Sequence, residues 1–202
     1  MSSPAPTPKE LLIASHNAGK ISEFKDLLKN FGIEIISAAD YRLIEPAETG
    51  TTFEQNAEIK SMAAMNTTGL PALADDSGLC VPALDGAPGV YTADWAGHPR
   101  DWMAAMQKLQ NELGDNPDRR AYFVSVLALS RPNHPTRFFR GQVWGDLVWP
   151  VRGALGFGFD PMFKPDGFKH TFAEMPADLK NRISHRARAL DALTRNISDI
   201  FG

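Results

Sequence analysis

The sequence predicts an α/β fold with a largely covered sheet. Two observations carry the prediction. The chain opens in the order strand, loop, helix, strand, and its later apolar segments alternate between short continuous runs and stripes of helical spacing. A length of 202 residues, 43% of them hydrophobic, supplies enough apolar material for a core in one domain or one two-lobed domain.

Residues 11–14 form a short apolar run, expected as a buried strand, and the polar residues 15–19 follow as a loop. Ile21, Phe24, Leu27, Leu28 and Phe31 then fall on one helical face, and Gly32 stops the helix. Residues 33–36 read as a second strand. Thr51, Thr52, Phe53 and Glu54 carry a capping-box pattern for a helix over about residues 52–65, on which Phe53, Ala57, Lys60 and Ala64 share a face. Residues 70–74 read as a buried strand that ends in Asp75 and Asp76. Residues 77–97 hold four glycines and two prolines and are expected as a long functional loop. Trp102, Met106, Leu109 and Leu113 mark a further helix. Residues 122–129 and 136–143 read as strands joined by a turn over 131–135. A glycine-aromatic loop spans 155–161, and one long helix closes the chain, with Pro176 near its first turn and Leu179, Ile183, Leu190, Leu193 and Ile197 as its stripe.

Composition narrows the function classes. The net charge of −3 gives no basic field for nucleic acid, so any phosphate binding rests on a local site. A single cysteine, Cys80, rules out an intramolecular disulfide and points to a reducing, cytoplasmic setting. Residues 1–8 lack the charged and apolar regions of a signal peptide and, with three prolines, are expected as a disordered tail before a domain over 9–202. The best apolar run is too short to span a bilayer, so no membrane partner is expected.

Five groups of residues could carry chemistry. Ser15, His16, Asn17, Ala18, Gly19 and Lys20 lie between a strand and a helix start, where free backbone N–H groups and the helix dipole favour an anion, although the Walker A pattern is absent. Asp75 and Asp76 are adjacent carboxylates whose mutual repulsion calls for a cation or donors, and oxygen ligands of this kind suit Mg²⁺, with Glu48 as a third candidate. Lys60 is a charge on an apolar helix face; taken alone it reads as snorkelling to solvent. Phe157, Gly158, Phe159 and Asp160 can let a flat ligand approach and stack, or can simply be anchored by two buried phenylalanines. Lys180, Ser184, His185 and Arg186 can reach one cleft, yet taken alone they read as a solvated basic face, as does Arg188. Cys80 and the four tryptophans, Trp95, Trp102, Trp144 and Trp149, read as core or interface, and no metal-ligand spacing links His98, His134 and His170.

In order, these blocks resemble the inosine triphosphate pyrophosphatase family, which cleanses nucleotide pools of dITP, ITP and XTP. The blocks are Ser15 to Lys20, Glu48-Thr49-Gly50, Phe53 to Ala57 with Lys60, Ala74 to Leu79, Gly86 to Tyr91, Gly156 to Pro161, and Ser184-His185-Arg186, together nearly the whole chain. The resemblance implies an elongated mixed α/β fold, a central sheet flanked by helices in two lobes with an active-site cleft between them, and a homodimer. It implies that Asn17 and Lys20 hold the triphosphate, that Ser77 and Lys60 position phosphate, and that Glu48 and Asp76 bind Mg²⁺ with Asp76 as general base. Phe157 to Asp160, Lys180, His185 and Arg186 would hold the base and sugar. After Tyr91 the family reads Ser or Thr, then Ala-Arg, whereas this chain has Thr92-Ala93-Asp94, a reversed charge in that loop. The rivals are a related nucleotide pyrophosphatase of different base preference, against which the Gly156–Pro161 and Ser184–Arg186 blocks stand, and a regulator that binds nucleotide without hydrolysis, against which the paired aspartates stand.

Overall fold

The computed structural model describes residues 9–29 and 31–197. The tail expected over residues 1–8 lies outside them. The described chain runs β1 (Lys9–Ile13), α1 (Ala18–Leu28), β2 (Ile33–Ser37), α2 (Phe53–Thr68), β3 (Ala72–Cys80), α3 (Trp102–Leu113), β4 (Arg120–Ser130), β5 (Arg137–Leu147), β6 (Phe163–Pro165), α4 (Ala177–Ile183) and α5 (His185–Thr194). The strands form one mixed sheet in the order β2-β1-β3-β4-β5-β6. β1 pairs parallel with β2 and β3, which the short crossover through α1 and the longer one through α2 permit, and the remaining pairs are antiparallel.

Side chains alternate across a strand, so the two faces of the long β3–β4–β5 ladder differ. Odd-numbered positions build two separate apolar cores. Leu73, Leu127, Leu129 and Phe139 join Leu11, Phe24 and Leu28 beneath α1, with Ala189, Leu190 and Leu193 of α5. Leu79, Ala121, Phe123 and Val143 join Ala105, Met106 and Leu109 of α3 with Met162, Phe163 and Phe172. Between the two cores the same face carries Asp75, Ser77 and Ser125 instead of apolar side chains, the last two being register partners. The polar gap is where the two lobes part. The even-numbered face packs on α2 through Phe53, Ala57, Val124, Val126 and Ala128.

Four sequence expectations change. β3 does not end at Ala74 but continues to Cys80, so Asp75 and Asp76 stand in mid-strand and the expected loop loses its first four residues. The rest of that loop is ordered by short 3-10 turns at Pro82–Leu84, Gly89–Tyr91 and Asp94–Ala96, and the Thr92 hydroxyl ties it to β3 by donating to Gly89 O (2.6 Å) and accepting from Leu79 N (2.9 Å). The closing helix is two helices. Ser184 leaves helical geometry (φ −67°, ψ 163°), and its side chain accepts from Ala187 N to start α5 afresh. α1 ends at Leu28, which leaves Phe31 beyond it and exposed. In α2 the cap is Thr52, which accepts from Gln55 N, while the Gln55 side chain reaches back to Thr51 N; Glu54 instead pairs with Arg140.

Candidate active site

A cleft of about 330 Å³ opens between the lobes, and every predicted site residue except Ala18 and Gly19 lines it. Those two lie in the first turn of α1, behind Asn17. The Asn17 side chain caps this helix by accepting from Lys20 N at 3.2 Å, and the N–H groups of Ala18 and Gly19 belong to the first turn, which has no intrahelical acceptors. Ser15 Oγ accepts from Asn17 N, and His16 donates from Nε2 to Leu43 O at 2.8 Å, which fastens the loop to the segment that leads to Glu48.

The two aspartates face opposite ways, as neighbours on a strand must. Asp75 is buried among donors. Lys20 Nζ lies 2.7 Å and Arg186 Nη2 2.9 Å from Asp75 Oδ2, the Ser77 hydroxyl donates to the same oxygen at 3.1 Å, and the Ser125 hydroxyl donates to Oδ1 at 2.5 Å. Burial alone would raise its pKa, but Arg186, Lys20 and these hydrogen bonds outweigh it and hold the carboxyl well below the usual range. Asp76 has a poorer set. Lys60 Nζ donates to Oδ1 at 2.9 Å, and Oδ2 is buried with no hydrogen-bond partner. Burial dominates there and pushes the Asp76 carboxyl up to about 6, against the pull of Lys60.

Lys60 does not snorkel. It is only 5% exposed and bridges Asp76 and Glu48, the latter at 3.1 Å. Burial would lower its pKa, yet Asp76 and Glu48 raise it, so it remains charged. The Lys180–Arg186 group is likewise no solvated face. Lys180, Ser184, His185 and Arg186 are all at most 5% exposed. Lys180 donates to Asp160 Oδ2 at 2.6 Å and stands 3.5 Å from Glu23, and Arg186 grips both Glu23 and Asp75. Arg188 does stay at the surface, donating to Gln142 O. His185 stacks on Phe123 with ring centroids 4.9 Å apart, and burial followed by Arg186 drives its pKa well below normal, so the ring is neutral. Its Nδ1 is buried without a partner.

The glycine-aromatic loop buries only one of the two phenylalanines expected to anchor it. Phe159 is buried in the core, whereas Phe157 stays partly exposed on the cleft wall with Lys180 Nζ 4.4 Å from its ring centroid. Asp160 shapes the loop by accepting from Phe157 N at 2.8 Å, and Gly156, at φ +74°, leaves it room, since a Cβ there would strike Asp160 Oδ2.

Sequence reasoning missed Glu23, Ser125, Arg100 and Trp102. Glu23 is an acid of α1 only 8% exposed, and it lies just outside the arc of the apolar stripe, so its spacing gave no signal. Ser125 is a polar break in an otherwise apolar strand. Arg100 and Trp102 reach the cleft from the segment before α3 and that helix's first residue, which no motif marks. Asp94 is exposed at the start of its 3-10 turn and is not among the residues lining the cleft. Cys80 is buried, as expected. Among the described residues no group of three or more His, Cys, Asp or Glu side chains could hold a metal ion, and no helix is long and apolar enough to cross a membrane.

Comparison with known proteins places this arrangement. The model of the Ham1 family matches residues 11–196. The chain is 53% identical over 190 residues to a dITP/XTP pyrophosphatase of Gluconobacter oxydans, covering 94% of this chain and 91% of the relative. It is 54% identical over 196 residues to one of Brucella melitensis, covering 89% of each. Among solved structures, the Staphylococcus aureus Ham1 protein superposes with a TM-score of 0.86 at 40% identity, over 95% of this chain and 99% of that one. A HAM1 protein from Coxiella burnetii gives 0.87 at 38%, over 94% and 98%. By fold, by sequence over nearly its whole length and by the motif blocks that gather in its cleft, this chain belongs to the Ham1 family.

Proposed function

We propose that this chain is a nucleoside triphosphate pyrophosphatase that converts dITP, ITP and XTP to the monophosphate and pyrophosphate, and so clears deaminated purines from the precursor pool. The reading rests on its relatives' activity and, above all, on one observation: the buried, unpartnered Asp76 Oδ2 beside Lys60 and Glu48, in the cleft that the anion-ready loop before α1 also lines.

The residues fit a divalent cation. Four of the five lysines and arginines lining the cleft, Lys20, Lys60, Lys180 and Arg186, are already paired with carboxylates. A triphosphate entering such a balanced site needs further positive charge. Asp76, through Oδ2, and Glu48 would hold Mg²⁺, a cation suited to a few carboxylate oxygens. Mg²⁺ bound there would neutralise charge on the phosphates and on the departing pyrophosphate.

The protein's own groups do the rest. The first-turn N–H groups of α1, Asn17 and Lys20 hold the phosphates. Asp76, which burial pushes up to about 6 in the metal-free protein, is ionised at neutral pH and can orient a water and take its proton. The water oxygen bonds to the α-phosphorus, the bond to the bridging oxygen breaks, and pyrophosphate leaves. Ser77 helps hold phosphate from its mid-strand place on the cleft wall. Phe157 stacks on the base. Arg186, assigned to the base by the motif resemblance, is committed to Glu23 and Asp75, so the base-reading contacts fall chiefly to the neutral His185, through Nδ1, and to Lys180 beside Phe157 and Asp160. Hypoxanthine and xanthine present an O6 acceptor and an N1–H donor, the reverse of adenine, and a site built for one pattern rejects the other by ~10⁴-fold.

The remaining parts of the reading are a two-lobed unit from residue 9 onward, a cytoplasmic setting and a homodimer. For the last, the outer face of β5 beyond α2 leaves Phe138 and Trp144 about 40% exposed, which suits a second copy of the chain. Pyrophosphate release from a panel of dITP, ITP, XTP, GTP and ATP tests the whole proposal: the first three should be turned over and ATP rejected. Equal rates on ATP and ITP would remove the base-reading role, and sedimentation at the mass of one chain would remove the dimer.

A further inference from the structure

Arg100 stands apart from the other cations of the cleft. Lys20, Lys60, Lys180 and Arg186 each have a carboxylate within hydrogen-bonding distance. Arg100 lines the same cleft from the segment before α3 and, among the described residues, has no carboxylate partner. Its guanidinium is held only by the Trp102 ring, 5.9 Å from the centroid. Trp102 is itself a fixed support. Its ring meets Phe159 edge-on at 5.9 Å, and it packs over Gly158 of the loop that presents Phe157. The indole thus carries the guanidinium on the wall of the cleft and leaves its N–H groups free.

The other four cations of the lining are each held by at least one of its five carboxylates. Lys20 and Arg186 hold Asp75, Lys60 holds Asp76 and Glu48, and Lys180 holds Asp160, so among the described residues Arg100 is the lining cation whose donors face no carboxylate and can meet an incoming anion. Arginine suits that task, since its fork of donors matches phosphate oxygens in pairs and keeps its charge at any working pH.

We propose that Arg100 is a substrate-binding residue that closes on the triphosphate from the α3 side of the cleft, supported by Trp102. The inference rests on the triphosphate reading above, and it makes the phosphate site a two-walled clamp rather than a single loop. Arg100 contributes binding common to the ground and transition states, so its loss raises KM more than it lowers kcat.

The test uses the full chain with Mg²⁺, comparing Arg100→Ala and Arg100→Lys with the parent. Two quantities are measured: kcat and KM on ITP, and the affinity for inorganic tripolyphosphate by calorimetry. A charge-assisted contact predicts roughly a ten-fold rise in KM and a similar loss of tripolyphosphate affinity for Arg100→Ala. The loss should shrink at high salt, and lysine should recover part of it. Because Arg100 is exposed, the melting temperature should not move. Tripolyphosphate affinity within about two-fold of the parent at low salt would overturn the proposal. So would a defect confined to binding of the nucleoside inosine, which would place Arg100 at the base. If the parent releases no pyrophosphate from ITP, the functional reading fails, and tripolyphosphate binding still decides the role of Arg100.

Discussion

Asp75 and Asp76 are neighbours on one strand, equally buried, and chemically opposite. Asp75 collects two cations and two hydroxyls and is held well below its ordinary pKa. Asp76 has one cation and one orphaned oxygen, and burial pushes it up to about 6. The two-residue period of a strand makes the difference, because one side chain enters the gap between the apolar cores and the other turns towards α2. The comparison teaches that a buried charge is structural when its partners are complete and available for chemistry when they are not. Asp75 ties α1, β3 and α5 together through Lys20 and Arg186; Asp76 keeps one buried oxygen without a partner.

The comparison breaks most directly in activity. Asp76→Asn should lose about 10²–10⁴-fold in turnover, since the proton acceptor goes and a metal ligand with it. Pyrophosphate release within a few-fold of the parent would end the assignment. Asp75→Asn should act on the fold instead, leaving Lys20 and Arg186 buried with only Glu23 to oppose them, and should cost about 3–5 kcal/mol in urea denaturation. An unchanged midpoint would mean that Asp75 is not the tie the structure makes it.

A smaller effect separates the two by pH in the metal-free protein. Asp76 has a raised folded pKa, so its ionisation opposes folding as pH climbs from about 4 to about 6. Asp76→Asn should therefore be at least as stable as the parent at neutral pH, with the gap closing as pH falls through that window. Asp75 has a depressed folded pKa, so its contribution is present above the unfolded value of about 4 and is lost as pH falls below it. A parent that gains stability steadily from pH 4 to 7 while Asp76→Asn does not would reverse the sign and refute the account. Smallest of all, Arg182→Ala removes an exposed pair with Asp178 and should change stability by less than about 0.5 kcal/mol.

Much of this was legible in the residues. The alternation of runs and stripes foretold β1 to β5 and α1 to α3, though not β6 or the break between α4 and α5, and Asn17, Lys20, Asp76, Phe157 and His185 do meet in one cleft. The limits were physical. Asp75-Asp76-Ser77-Gly78 has the composition of a turn, and only distant Lys60, Lys20 and Arg186 make it tolerable as a strand. Lys180 and Arg186 look like surface charges because their partners, Asp160, Glu23 and Asp75, are remote in sequence. Ser184 interrupts a stripe whose spacing survives the break, so one helix and two read alike. Trp102 was legible as a helix residue but not as the support of a cleft wall, which depends on how the lobes face each other.

The most direct test of the central claim is hydrolysis of ITP by the purified chain with Mg²⁺ in heavy-oxygen water. Attack on the α-phosphorus by a water that Asp76 activates predicts IMP carrying the label and unlabelled pyrophosphate. Label in the pyrophosphate, or IDP and orthophosphate as products, would contradict it.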